Sequence, residues 1–534
     1  MAISDVTKMH NEPSRDTYDA VVIGAGHNGL IAATYLARAG LSTLLVEARA
    51  NVGGTASSEQ FAGCTVNICN CDHLTIRTTP IAEELNLERH GLRYVDINPA
   101  QINGTWGPEN WWPSFHDAHQ TIDALGQLLP HEQDNYRRYL ADALPVATLI
   151  LEAANEPPSR RGLLSRVLAR KGKGTARLLA WSRKSASEVL RTYFSSEVIL
   201  GPAVVEGPMV WGVSPQLKGT GLGAITLALR HAGQVGRPVG GSGSLPESLR
   251  KSFLDFGGEL LLSTRVSAIV CRGSDERSVE LASGHEVKAR VVVSACNPHD
   301  TFVKWLRNAP PQAKSMIERW KNKPHEQGYE SKIDAVFTGE MNYIALNSST
   351  HQSLGLNSLP CTFVIAPSIQ DIHRGWELMS HGQVLERPAF LANIPSLGDE
   401  TLANVGTHIL SLESLFTPYN FAGGWQSDAE PLRWLKEFDT LLTEPLTPRI
   451  TQWRAMTPDK YEHEFFLPEG HATSFSGGPL ATFLSRTPEL TQYRTNVKNL
   501  YLTGAATFPG AGIWGASGRN AALTVLQDLK IDSQ

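Results

Sequence analysis

With 534 residues, 41% of them hydrophobic, the chain can bury a substantial core and divide into two or three structural units. A formal net charge of −5 and an isoelectric point near 6.4 exclude a general polyanion binder, which needs a clear excess of clustered Lys and Arg, so no nucleic-acid partner is expected. No apolar run is long enough to span a bilayer, and six cysteines without a CxxC pair fit a reducing compartment rather than a disulfide framework.

The opening MAISDVTKMHNEPSRDTY is polar and carries two Asp and one Glu, unlike a signal or transit peptide, so a cytoplasmic location is expected. From residue 18 the chain reads as strand, tight turn, helix and strand: an apolar β-type run to Ile23, the turn Gly24-Ala25-Gly26-His27-Asn28-Gly29, helical periodicity from Leu30 to Arg38, and a second buried strand from Thr43 to Val46. Gly24 permits the turn, Gly26 lets a pyrophosphate reach the helix N-terminus, and Gly29 lets helix and strand pack closely. Ala25, His27 and Asn28 complete the turn, where the backbone of His27 matters most. Glu47 ends the second strand and can accept hydrogen bonds from ribose hydroxyls. Its charge repels a 2′-phosphate, which disfavours NADP. Ala48 and Arg49 follow at once, then Gly53, Gly54 and Thr55. This second glycine turn brings amides toward a pyrophosphate and the flavin end of FAD, and Arg49 offsets phosphate charge.

Further along, Cys69 and Cys71 read as packing residues rather than a redox pair. NGTWGPENWWP, residues 103 to 113, together with Trp211, either walls an apolar pocket or belongs to ordinary core. Pro157 and Pro158 mark a break. Residues 159 to 191 are strongly basic and interleaved with leucines, so this stretch either lies on an anionic membrane surface or forms a solvated helix face. His27, His73 and His231 stand near apolar or glycine-rich segments, where a hydrogen-bonded wall histidine is commoner than a base. No catalytic base is assigned. Serine elbow, HExxH, Walker A and metal-ligand patterns are lacking, so no metal is expected. The chain closes on LYLTGAATFPGAGIWGASGRNAA, residues 500 to 522, where five glycines interrupt a buried strand running into a helix. So many positions without side chains point to a large ligand approaching the backbone.

VVIGAGHNGL at 21 to 30, VEARANVGGT at 46 to 55, GGSGSLPESL at 240 to 249 and NLYLTGAATFPGAGIWGASGRNAA at 499 to 522 together resemble the phytoene desaturase-like branch of the FAD-dependent amine oxidase and desaturase superfamily. The GHNG turn and the final GASGRNAA are especially similar to the group called pyridine nucleotide-disulfide oxidoreductase domain-containing protein 2, although no paired redox cysteines are present. The resemblance implies an α/β fold: a Rossmann-type FAD-binding domain assembled from discontinuous segments at 15–85, 235–300 and 490–530, with a mixed-sheet α+β substrate domain at 86–234 and 301–489. It implies non-covalent FAD, with the Val266 backbone holding the adenine, after a helix at Leu245–Phe256 and a strand region at Glu259–Val270. Gly504 and Ala505 would lie along the ribityl chain. Gly510 to Trp514, including Gly512 and Ile513, would pass beneath the isoalloxazine, and a helix from near Gly515 would aim its N-terminus at the pyrimidine ring. Ala505 stands where many relatives carry an acid.

The chemistry implied is dehydrogenation, a hydride passing from an activated C–H bond of a small, lipophilic polyene, isoprenoid or related substrate to flavin N5. Flavin carries that chemistry, which explains the lack of obvious catalytic side chains. Amine or amino-acid oxidation and redox-neutral isomerisation share the frame. A lipid-binding protein like the Rab GDP dissociation inhibitors is the non-enzymatic rival.

Overall fold

The alternation of apolar β-formers and glycine turns at the N-terminus builds a parallel sheet. A computed structural model describes residues 12–69, 71–107, 111–170, 172, 174–273, 275–356, 361–471 and 487–532. Strand Thr17–Ile23 lies between Thr43–Val46 and Glu286–Ser294, parallel to both. Glu259–Leu261 extends the sheet beyond Thr43–Val46, and Leu500–Leu502 pairs in parallel with the end of Glu286–Ser294. On the other side Glu276–Leu281 pairs antiparallel with Glu286–Ser294, and Val266–Arg272 pairs antiparallel with Glu276–Leu281, extending the same sheet. Strands Thr43–Val46 and Leu500–Leu502 are buried throughout, and Thr17–Ile23 and Glu286–Ser294 are buried over their last four residues, which is why these stretches read as near-continuous apolar runs.

Helices His27–Arg38, Ser244–Asp255 and Ala516–Leu529 cover one face of this sheet around Leu30, Leu36, Leu249, Phe253 and Val525. The first helix begins at His27, earlier than the periodicity from Leu30 predicts, because His27 and Asn28 are weak helix formers held there by the turn. The region Glu259–Val270 splits into two strands, with Ser263 between them in a left-handed conformation at φ 51°.

The second sheet runs in the order 450–456, 330–338, 407–415, 390–393, 362–366, 101–105 and 112–114. It is antiparallel except where Thr362–Ala366 meets Gln101–Thr105. Strand Glu330–Thr338 shows why it sits as it does. Ile333, Ala335 and Phe337 point to a wholly apolar core with Leu410, Leu412, Phe390 and Trp434, while Glu330, Lys332 and Asp334 alternate onto the opposite face. A layer of helices from 118 to 232 packs around Tyr136, Tyr139, Phe194 and Leu200 and reaches the 362–366 strand through Val364 and Ala366.

One open reading resolves. Trp111 and Trp112 are core residues, not pocket wall: Trp111 packs on Tyr343 and Phe363, and the Trp112 indole donates to the Val198 carbonyl. Pro108, Glu109 and Asn110 lie outside the described residues. The basic segment folds as three short helices, Arg160–Ala169, Thr175–Trp181 and Ala186–Leu190, interrupted where Gly172 and Gly174 take left-handed φ. Among the described residues no helix is long and apolar enough to cross a membrane.

Candidate functional site

The glycine turn sits at the carboxyl end of the first strand. Gly24 has φ 94° and donates its N–H to the Val46 carbonyl at 2.8 Å. At Gly29 a β-carbon would fall 1.9 Å from the Gly24 carbonyl oxygen and 2.9 Å from the Ala295 Cβ, so the helix lies directly on the turn and the neighbouring strand. At Gly26 a β-carbon would meet no atom within 4 Å. Gly29 is therefore required by protein packing, whereas the space at Gly26 is kept for something outside the chain.

Glu47 is buried, and its carboxylate accepts from the N–H of Ala25 at 2.7 Å and of Arg49 at 2.8 Å. Gly53, at φ 107°, donates to the Ala25 carbonyl and pairs with Gly26, so the two glycine turns form one wall. Gly54 follows at φ 56°, with Gly26 Cα 3.5 Å from where its β-carbon would stand. Thr55 lies half-buried in the short 54–56 turn, and Ala48 is half-buried beside Glu47. Arg49 pairs with Glu59 at 3.1 Å, stacks over the Phe465 ring and leaves Nη1 buried without a partner among the described residues. Val266 opens its strand two residues after Thr264, whose N–H donates to the Glu47 carbonyl. The orphaned guanidinium nitrogen, the open space at Gly26 and the acid at the strand tip fit the phosphates and ribose of a dinucleotide.

The C-terminal motif joins this wall. The Ser517 hydroxyl bonds Thr503 Oγ1 at 2.8 Å, accepts from the Gly504 N–H at 3.0 Å and bonds Thr507, which fixes the bend between the last strand and the last helix. Gly504 takes φ 107°, Ala505 is half-buried, and Gly512 is exposed at φ 96°. Asn28 Oδ1 accepts from the Gly518 N–H at 3.2 Å, and a β-carbon at Gly518 would lie 2.2 Å from the Asn28 carbonyl oxygen. First and last helices are thereby clamped at their N-termini. Ile513 is held through its carbonyl by Thr75 Oγ1 at 2.7 Å and the Ile76 N–H at 3.0 Å. Trp514 is half-buried against the helical layer. Burial lowers the His27 imidazole to about 4 against its hydrogen bond to the Gly512 backbone carbonyl, so it is neutral near pH 7.

One segment carries this wall to the second sheet. Between Asn67 and His73 the chain crosses the charged face: Lys332 Nζ donates to the Asn67 carbonyl at 2.7 Å, the Cys69 thiol meets Glu330 at 3.0 Å, Cys71 reaches Ser411, and Asp72 binds Thr362 and Arg237. His73 then turns back, bonding Tyr94 and Ser242 through its two ring nitrogens. Burial, with His27 nearby, lowers it to about 3. Cys69 and Cys71 are thus packing residues, and all six cysteines are free.

Sequence reasoning missed Ser517, Thr75 and the charged sheet face. Ser517 lay inside a quoted motif but carried no distinguishing pattern. For the sheet face the signal was the alternation in ESKIDAVF at 330 to 337, which is equally the pattern of a strand facing water.

Two family models match parts of the chain: NAD(P)-binding Rossmann-like domain at residues 22–76 and flavin containing amine oxidoreductase at residues 184–325. The chain is 28% identical to rat pyridine nucleotide-disulfide oxidoreductase domain-containing protein 2, over 96% of this chain and 94% of that protein. It is 27% identical to the lycopene-forming phytoene desaturase of Pseudescherichia vulneris, over 96% and 99%. Among solved structures, cyclohexylamine oxidase from Brevibacterium oxydans IH-35A shares the fold, with a TM-score of 0.60, 16% identity and coverage of 96% and 99%.

Proposed function

We propose, for a chain that belongs to the amine oxidase and desaturase superfamily, that it acts as a dehydrogenase or desaturase on a lipophilic substrate of polyene, isoprenoid or related type. At the coarser level it is a FAD-dependent oxidoreductase of that superfamily. The observation that carries the reading is the closure of both chain ends into one glycine-lined cradle, with Gly26 paired to Gly53 and Asn28 bonded to Gly518.

Bound there, FAD supplies a two-electron acceptor for a hydride from an activated C–H bond. The chain's own residues do the rest. Glu47 offers a carboxylate to ribose hydroxyls, and the paired glycine turns present amides, with Arg49, to the pyrophosphate. Ser517 holds the loop from which Gly504 to Trp514 would line the ring system. The positive end of the Ala516–Leu529 helix dipole favours negative charge beside that loop.

The test is the visible absorption spectrum of the purified protein before and after denaturation in the dark. Release of intact FAD supports the reading and its non-covalent attachment. A colourless protein that also fails to take up added FAD would overturn it in favour of non-catalytic lipid binding.

A second reading, oxidation of an amine or amino acid, is favoured by the carboxylates on the sheet face. We also propose peripheral membrane contact through 159–191. Nine Lys and Arg and no acid fall between residues 160 and 184, and Leu164 and Leu168 stand one helical turn apart with more than half their surface exposed.

A further inference from the structure

We infer that Phe465 is a positioning residue for the dinucleotide: its ring holds the Arg49 guanidinium in place, with one nitrogen left free for the pyrophosphate. The inference deepens the reading above and rests on FAD occupying the glycine-lined cradle.

The contact is built from register upward. In strand Ile450–Met456, Arg454 lies directly opposite Asp334 and pairs with it through Nε at 3.1 Å. Its Nη1 reaches Glu59 Oε2 at 3.2 Å, and its guanidinium stands 5.2 Å from the centre of the Phe61 ring. The chain then enters helix Pro458–Phe465, which Tyr461 fixes by donating its hydroxyl to the Ile68 carbonyl at 3.1 Å. Met456, Tyr461 and Phe465 pack with Ile68 in one buried cluster. Phe465, in the last turn of that helix, is thereby delivered to Arg49.

Arg49 is met at three points. Its backbone N–H donates to the Glu47 carboxylate at 2.8 Å, its Nη2 pairs with Glu59 Oε1 at 3.1 Å, and its guanidinium carbon lies 3.9 Å from the centre of the Phe465 ring. Glu59 is shared, because its other oxygen is engaged by Arg454. Nη1 of Arg49 is buried and has no partner among the described residues. A buried guanidinium nitrogen without an acceptor is costly, and a phosphate oxygen is the acceptor that matches it in charge and geometry. Packing on Ile68 alone asks only for a large apolar side chain at 465. An aromatic face does more: it attracts the cation and confines a long, flexible side chain. Ordering Arg49 before FAD arrives removes that entropy from the cost of binding. Phe465 thus acts on FAD through Arg49.

The experiment uses the full-length protein, deflavinated and titrated with FAD, with binding read from the quenching of flavin fluorescence. Phe465→Leu keeps the apolar packing on Ile68 and removes the ring face, so it should weaken FAD about tenfold. Phe465→Tyr keeps the ring face and should bind within about threefold of native. Arg49→Met removes the cation, and adding Phe465→Leu to it should weaken FAD by no more than about twofold further. Melting curves of the apoproteins establish that each variant titrated is folded. A ring that mattered only for packing would lower apoprotein stability and weaken FAD by the same factor in both backgrounds. The inference is overturned if Phe465→Leu binds FAD as the native protein does, if Phe465→Tyr is as weak as Phe465→Leu, or if the leucine effect is equal with and without Arg49. Native protein that takes up no FAD overturns the functional reading and this inference together, whereas native binding with any of those three results overturns the inference alone.

Discussion

Gly26 and Gly29 stand one helical turn apart, and the structure assigns them opposite sensitivities. Alanine at 29 gains about 1 kcal/mol in helix propensity. Its methyl group would sit 1.9 Å from the Gly24 carbonyl oxygen and 2.9 Å from Ala295 Cβ. These are a backbone oxygen of the turn and the β-carbon of the residue that follows strand Glu286–Ser294, so relief requires moving the helix, at the upper end of the 1–3 kcal/mol cost of overpacking. The net loss is about 1–2 kcal/mol, or about 1–2 °C in Tm for a chain of this size. At Gly26 the backbone, with φ −61° and ψ 165°, suits alanine, and nothing lies within 4 Å of the added methyl. Gly26→Ala should therefore leave the apoprotein unchanged or stabilise it by up to about 1 kcal/mol through its unfolded state. The same methyl intrudes on the cradle. Loss of one charge-assisted backbone contact, about 1.5–3 kcal/mol, weakens FAD roughly 10- to 150-fold. At FAD equal to a hundred times the native Kd, stabilisation by ligand would fall from about 2.7 to about 0.4 kcal/mol for a hundredfold loss. Melting curves of deflavinated native, Gly26→Ala and Gly29→Ala protein, with and without FAD, separate the two effects. Native FAD affinity in Gly26→Ala, or unchanged apoprotein stability in Gly29→Ala, would refute the assignment.

Ser517→Ala removes the hydroxyl that ties Thr503, Gly504 and Thr507 together, so it should cost about 1–3 kcal/mol of stability, lowering Tm, and shift the visible flavin bands, read by melting and absorption. His27 and His73 are neutral in the fold, at about 4 and about 3, and protonate nearer 6.5 when unfolded. Unfolded protein binds the extra protons, so their contribution is complete above pH 6.5 and is lost as pH falls toward 4 and then 3. Melting temperature against pH should decline across that window, and less steeply in His73→Gln. For the basic segment, sedimentation with vesicles containing phosphatidylserine should capture native protein at low salt. Leu164→Asp with Leu168→Asp should abolish capture, and equal capture by neutral vesicles would count against an electrostatic surface.

The geometry of the N-terminal glycine turn was legible because its chemistry is local. A turn needing positive φ at Gly24, a close approach at Gly29 and an acid at the tip of the next strand fall within 24 residues, and each follows from backbone sterics or charge. The C-terminal glycines were legible for the same reason. Trp111 and Trp112 were not, because an aromatic side chain satisfies a pocket wall and a core equally until its neighbours are known.

The sequence by itself determined the element types, the glycine turns and the chemistry of Glu47, since period, φ preference and charge belong to individual residues and their near neighbours. Only the tertiary structure decided which face of strand 330–338 meets Asn67 and Cys69, that Lys332 bonds Asp334, and that Asn28 reaches Gly518 across the length of the chain. Whether a charged residue is solvated, paired or left waiting depends on what folds against it, and those partners lie hundreds of residues away.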